Sequence, residues 1–263
     1  MSGATTRQLA KVPAVTLGFW IIKILATTLG ETGGDTVTMT LNWGYAAGVA
    51  LFGAALVALV VLQIRAKSFH PALYWATIVA STTFGTALAD FADRSLRIGY
   101  LGGSLLLLSS VLAALGLWRW SEGTVAVHTV STPKVEAFYW VTITLSQTLG
   151  TALGDWLADT RGFGYERGAL IFSVALGVVV ALYLWTGVSR VTLFWIAFVL
   201  TRPLGATVGD FIDKPLAAGG LALSRPLASL VLTVAIVVLV AVLPQRPSRH
   251  PSQIHGRPRN VPT

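Results

Sequence analysis

The sequence contains no cysteine and only four histidines among its 263 residues. The absence of thiols excludes disulfide bonds, thiolate metal sites and cysteine catalysis, and so few histidines disfavour a zinc site built on imidazoles. Neither the phosphate-binding pattern GxxxxGK followed by Ser or Thr nor the zinc-protease pattern HExxH occurs. We therefore predict that the protein is not an enzyme and carries no cofactor.

Charged residues are also scarce. They make up 11% of the chain, whereas 54% of the residues are hydrophobic and the mean hydropathy is +0.71; soluble domains carry roughly 25% charged residues. This composition is typical of a chain surrounded mostly by lipid. The excess of 19 Lys and Arg over 11 Asp and Glu is shared by nucleic-acid-binding proteins, but its distribution along the chain favours a membrane surface. We expect a lipid bilayer as partner and no nucleic acid.

A motif of 16 residues occurs four times without a gap. Each copy begins with Trp, reaches Gly ten residues later and ends with Asp five residues after that. Such repetition predicts four equivalent structural units. The copies are 20–35, 75–90, 140–155 and 195–210, with motif glycines Gly30, Gly85, Gly150 and Gly205.

Eight apolar runs have the length of roughly 20 residues that a membrane-spanning helix needs. Each repeat supplies two runs, the motif lies in the first, and a Gly-Tyr pair at Gly44, Gly99 and Gly164 marks the start of the second in three repeats. The expected fold class is an all-α polytopic membrane protein with eight transmembrane helices from four tandem helical hairpins. The predicted spans are 13–33, 43–64, 71–89, 99–118, 137–154, 168–185, 191–209 and 226–243.

The spacing of the motif glycines suggests two similar halves. Successive glycines are 55, 65 and 55 residues apart, and the extra length falls in the central loop. An even number of helices per repeat gives all copies one orientation, with the symmetry axis along the membrane normal. The expected segments are a cytoplasmic N-terminal segment 1–12, a first half 13–118, a cytoplasmic linker 119–134, a second half 135–243 and a disordered cytoplasmic tail 244–263.

The distribution of basic residues predicts the orientation in the membrane. Eleven Lys and Arg fall on the side of the termini and six on the other side, and such residues accumulate on the cytoplasmic side. We therefore expect a multi-pass protein of the bacterial inner membrane with both termini in the cytoplasm. The motif tryptophans would form an aromatic belt at headgroup level; they are Trp20, Trp75, Trp140 and Trp195.

The motif aspartates are the strongest candidates for a binding site. Each lies at the outward end of its helix, where the helix dipole and the nearby lipid both disfavour a carboxylate. Two explanations are open: a cation bound among the acids, or a helix break at the preceding small residue with Asp capping the next helix. The candidate ion and metal ligands are Asp35, Asp90, Asp155 and Asp210.

Other polar residues share the helix faces of these acids. Glu31 precedes Asp35 by four residues, and a threonine precedes three of the aspartates by seven, about two turns. Faces of this kind turned towards one another would form an oxygen-lined pocket suited to a hard divalent cation; hydrogen bonding between helices is the structural alternative. The threonines are Thr28, Thr83 and Thr148.

Two basic residues, Lys23 and Arg202, lie within predicted spans. An intramembrane base usually pairs with an acid. Each base could neutralise a motif carboxylate as a competitor that a cation or proton displaces, or as a fixed structural pair.

The repeat resembles a bacterial family of membrane-anchored proteins built from four tandem repeats of unknown function, with two hydrophobic segments and a tryptophan in each repeat. The resemblance covers about residues 13–243 and rests on the four motif tryptophans. It implies the architecture, and it brings no activity or binding residue with it.

These observations favour a transporter or exporter of a small cation, with a divalent metal such as manganese as the leading candidate and protons as the coupling ion. The alternative is a non-transporting scaffold or sensor with structural aspartates, whose basic face recruits anionic lipid or a protein partner. An intramembrane enzyme with paired acid and base aspartates is a third class, which the similarity of the copies disfavours. The sequence does not identify a protein partner.

Overall fold

The computed structural model describes residues 10–160 and 162–248, and it confirms the all-α class for this part of the chain. Each predicted span corresponds to one long helix, with end points that differ by at most four residues. The helices are α1 Leu17–Asp35, α2 Tyr45–Arg65, α3 Pro71–Asp90, α4 Tyr100–Glu122, α5 Pro133–Asp155, α6 Gly164–Trp185, α7 Arg190–Asp213 and α8 Arg225–Val242.

Local sequence signals explain where the helices begin. The hydroxyls of Thr16 and Thr132 accept hydrogen bonds from the first turns of α1 and α5, as N-cap residues do. Pro71 occupies the first turn of α3, where its fixed φ suits a helix. Gly44 and Gly99 precede α2 and α4 with φ of 80° and 84°. This left-handed conformation favours glycine and explains the predicted start signal.

The four motif helices form an inner ring. In this ring α1 packs on α3, α3 on α5, α5 on α7, and α7 on α1. The second helix of each repeat lies outside the ring against the inner helix of the next repeat, so that α2 packs on α3, α4 on α5 and α6 on α7. Helix α8 packs on α1 and closes the circle. The repeated motif therefore lies at the centre of the molecule.

The motif glycines determine how closely the inner helices approach. A Cβ atom on Gly85 would lie 2.9 Å from the backbone nitrogen of Thr148, and one on Gly150 would overlap the side chain of Arg202. The other two motif glycines make the corresponding contact with the next inner helix around the ring. Small residues allow such close packing of membrane helices.

Most of the motif tryptophans are inside the protein, which corrects the expectation of a belt among lipid headgroups. Trp75, Trp140 and Trp195 are buried. The aromatic residues that precede them join the cluster: the rings of Phe19 and Trp75 are 5.5 Å apart, and those of Tyr74 and Trp140 are 5.7 Å apart. The tryptophans are buried because each inner helix packs against two neighbouring inner helices and one outer helix.

Within the described residues, six helices are long and apolar enough to cross a membrane, namely α2, α3, α4, α6, α7 and α8. Eight were expected, and α1 and α5 do not reach this level because they hold more polar residues, such as Lys23 and Glu31 in α1 and Glu136 and Gln147 in α5. The outer helices expose many large apolar side chains, as a lipid-facing surface requires.

The segments 10–14 and 244–248 run side by side, joined by backbone hydrogen bonds of 2.7 and 2.8 Å. Lys11 forms a 2.5 Å ion pair with Glu136 and donates hydrogen bonds to carbonyls at the end of α2. The expectation of a disordered tail from residue 244 onwards is therefore wrong for 244–248, because this backbone has partners. Residues 249–263 lie outside the described residues.

Candidate functional site

The inner helices place four layers of side chains along the centre of the bundle. Residues four positions apart share a helix face, and the corresponding positions of the four motif copies form each layer. All sixteen side chains are buried. From the end nearest the termini, the first layer is Lys23, Ile78, Ile143 and Phe198; the second is Thr27, Thr82, Gln147 and Arg202; the third is Glu31, Thr86, Thr151 and Ala206; and the fourth is Asp35, Asp90, Asp155 and Asp210.

The four motif aspartates of the fourth layer converge at the end of the bundle opposite the termini. Asp35 interacts electrostatically with Asp90 and Glu31, and Asp90 interacts with Glu31 and Asp210. Asp155 interacts with Glu31, Asp210 and Asp90. The acids therefore face the interior of the bundle, and the lipid does not surround them.

Basic side chains from the segment after α7 approach this layer. The ammonium of Lys214 lies 2.9 Å from Asp210 and 3.6 Å from Asp35, and Arg225 lies 3.6 Å from Asp35 and 2.9 Å from Asp213. Burial lowers the pKa of Lys214, but the carboxylates of Asp210 and Asp35 raise it more, so the pKa lies above its ordinary value. The two carboxylates therefore stabilise the charged form of Lys214.

The capping alternative is wrong for Asp35 and Asp90. Both helices continue through the preceding small residue and pass into a π-helical turn, and neither carboxylate makes a capping hydrogen bond. Asp90 instead accepts a 2.8 Å hydrogen bond from Arg94, one helical turn further on. Helix α7 differs because it continues beyond Asp210.

Three acids come close enough to share one cation. Among the described residues, Glu31, Asp35 and Asp210 bring carboxylate oxygens within 4.8 Å of one another. Both oxygens of Asp35 are buried and accept no hydrogen bond. Carboxylates at this spacing are the ligands that hard divalent cations prefer. The predicted ligands Asp90 and Asp155 lie outside this group of three.

The acids of this region outnumber the bases that approach them. Six buried carboxylates face four basic side chains, which leaves two negative charges among these described groups. Buried charges need a counter-charge or a proton. The acids are Glu31, Asp35, Asp90, Asp155, Asp210 and Asp213, and the bases are Arg94, Arg202, Lys214 and Arg225.

Arg202 links all four inner helices. Its side chain is completely buried, and one terminal nitrogen lies 2.9 Å from Glu31 of α1 and 2.5 Å from the hydroxyls of Thr86 of α3 and Thr151 of α5. The other terminal nitrogen donates a 3.3 Å hydrogen bond to the carbonyl of Thr27. Arg202 thus pairs with an acid, as expected, but its partner is Glu31 and not a motif aspartate.

The predicted threonines contact their own helices. Thr28, Thr83 and Thr148 are buried, and each hydroxyl donates to the backbone carbonyl four residues earlier, at 3.0, 2.7 and 3.1 Å. Sequence reasoning missed Thr86 and Thr151, which bind Arg202. The missed signal is their position four residues before an aspartate, where the first copy has Glu31.

Lys23 has no carboxylate partner within 4 Å among the described residues. Its ammonium lies 3.5 Å from the Gln147 side-chain oxygen and 3.4 Å from the Thr201 hydroxyl. It also lies 4.2 Å from the centre of the Phe198 ring. The predicted pairing of Lys23 with an acid is therefore absent from this part of the structure.

Comparison with known proteins gives a family and no activity. The family model described as Repeat of Unknown Function (DUF347) matches residues 18–69, 73–124, 138–189 and 193–244. The chain belongs to this family. The four matches follow the four repeats recognised in the sequence, and each match contains one inner and one outer helix. No curated protein and no solved structure matches the chain.

Proposed function

We propose that this repeat-family protein is a transporter or exporter of a small cation that binds in the fourth layer. The observation that carries the proposal is the group of Glu31, Asp35 and Asp210, with oxygens within 4.8 Å of one another. The oxygens of Asp35 accept no hydrogen bond, and the nearest bases, Lys214 and Arg225, lie 3.6 Å away. Buried carboxylates have a high free energy unless cations or protons neutralise them, and the bases that approach this region are two fewer than its buried acids.

The ligand chemistry favours a hard divalent cation. Carboxylate oxygens prefer magnesium, calcium or manganese to softer metals, and the excess of two negative charges matches one such ion or two protons. Manganese is the leading candidate for the substrate, and protons are the natural coupling ion. Proton exchange at the same acids would then couple metal transport to a proton gradient.

The proposed membrane arrangement has eight spanning helices in two similar halves, with both termini in the cytoplasm of a bacterial inner membrane. The inner ring supports this arrangement, because α1 and α5 each pack between α3 and α7, which are apolar enough to span. Their polar residues face the centre and the other helices, so they do not contact lipid. Such placement allows ionisable residues in a spanning helix.

Glu31 connects the cation group with the centre of the bundle. The same carboxylate belongs to the group of three acids and pairs with Arg202 at 2.9 Å. A cation bound to Glu31 would compete with the guanidinium for this carboxylate. We propose that this competition loosens the contacts of Arg202 with the other inner helices and opens the way past the third layer.

The test is metal flux in liposomes that contain the purified protein. We expect Mn²⁺ entry, followed with an enclosed metal-sensitive dye, to fall at least tenfold in Asp35→Asn and Asp210→Asn, because each substitution removes a ligand charge. The control is Glu166→Gln, which removes an exposed carboxylate near the start of α6 and should leave flux unchanged.

Flux that is equal in all three variants and the parent protein would rule out the cation site. A scaffold remains the alternative function, and the linkage of all four inner helices through Arg202 favours it. A scaffold predicts that Asp35→Asn changes the thermal unfolding temperature by the same amount with and without Mn²⁺. A transporter predicts that Mn²⁺ stabilises the parent protein and not this variant.

A further inference from the structure

The first two layers of the bundle contain two basic side chains and no carboxylate. Lys23 and Arg202 are both completely buried, and Arg202 acts electrostatically on Lys23. Glu31 neutralises the guanidinium, but no carboxylate pairs with Lys23 in the described part of the chain. An ammonium in the interior of a protein is unfavourable by several kcal/mol or more unless it gains a counter-charge or loses its proton.

The adjacent second layer contains two hydrogen-bond donors without acceptors. The side-chain nitrogen of Gln147 and the Nε of Arg202 are buried and have no partner. Both residues belong to the second layer, directly above Lys23. The hydrogen bonds of Lys23 to Gln147 and Thr201, at 3.5 and 3.4 Å, are longer than the usual range for nitrogen and oxygen. A protonated Lys23 would therefore lack a counter-charge, and the two donors of the second layer lack acceptors.

We propose that a small monovalent anion, chloride, binds beside Lys23 between the first and second layers. Chloride supplies the missing negative charge and accepts hydrogen bonds from the ammonium of Lys23, the amide of Gln147 and the Nε of Arg202. This site is separate from the fourth layer and uses none of its aspartates. A stable anion at this depth holds α1, α5 and α7 together.

Chloride binding is tested directly with radioactive chloride and the purified full-length protein in detergent. Equilibrium dialysis against sodium gluconate of constant ionic strength should give one saturable chloride per chain. Lys23→Met keeps most of the length and volume of the side chain but removes its charge, and we expect it to abolish saturable binding. Glu166→Gln, which removes an exposed carboxylate near the start of α6, serves as the control and should bind chloride like the parent protein.

Thermal unfolding gives a second measurement. Replacement of gluconate by chloride should raise the unfolding temperature of the parent protein by about 3 °C in a saturable way. Gln147→Leu removes one donor and leaves Lys23 in place, so it keeps the test valid should Lys23→Met fail to fold; we expect at least a tenfold weaker response to chloride. An absence of saturable binding to the parent protein, or undiminished binding to Gln147→Leu and Lys23→Met, would overturn the proposal in favour of bound water.

Discussion

Arg202 shows how a single residue can organise a membrane bundle. Its position is the eighth of the motif, where the other copies have Thr27, Thr82 and Gln147. In each neighbouring pair of inner helices, this position packs on the motif glycine of the preceding helix. The fourth copy uses the same geometry to send a guanidinium to the centre, where it contacts the other three inner helices.

The Arg202–Glu31 pair makes a prediction at this scale. Arg202→Met leaves Glu31 buried without its counter-charge, and breaking a buried pair in this way costs about 3–5 kcal/mol. The double variant Arg202→Met with Glu31→Gln removes both charges and should recover part of the lost stability. The measurement is thermal unfolding in detergent without divalent cations. A double variant that is no more stable than Arg202→Met would show that the pair contributes little.

The positions of the helices could be predicted well from sequence, because the length of each apolar run and the repeated motif are local features of the chain. The third layer was partly predictable: alignment of the copies places Thr86 and Thr151 at the position of Glu31. The contact of Arg202 with Glu31 was not predictable, because it joins residues 171 positions apart in the first and last repeats. Ring closure brings these repeats together, and no local pattern encodes it.

Glycine substitutions test the close approach of the inner helices. In Gly85→Ala the new methyl group would lie 2.9 Å from the Thr148 nitrogen and 3.0 Å from the Gln147 carbonyl carbon. Backbone atoms cannot rotate away, so we expect a loss of about 1–3 kcal/mol and a lower unfolding temperature. Gly116→Ala in α4 is the matched control, because its Cβ meets nothing within 4 Å and alanine favours a helix by about 1 kcal/mol over glycine. Equal changes in both variants would contradict the proposed role of Gly85.

On the scale of the whole molecule, the repeats form a closed circle. The outer helix of each repeat packs on the inner helix of the next, and α8 returns to α1. No loop joins α8 to α1, so this last contact depends on noncovalent interactions. The pairing of 10–14 with 244–248 lies at this junction, and Gln245 also accepts a 3.1 Å hydrogen bond from the Trp75 indole. These contacts fasten the last repeat to the first.

Truncation tests whether this junction stabilises the circle. A chain that ends after Leu243 loses the pairing with 10–14 and the acceptor of Trp75. Helix α8 then keeps its packing on α1, the ion pairs of Arg225 and its loop to α7. A chain that ends after Ser248 keeps every described contact and is the matched reference. We expect the shorter chain to unfold several degrees below the reference in detergent, because two backbone hydrogen bonds contribute about 0.5–1.5 kcal/mol each. Its tryptophan emission should shift to the red as Trp75 gains access to solvent. Identical unfolding temperatures and emission maxima would mean that helix packing alone closes the circle, and the inner ring would then need no fastening at the ends of the chain.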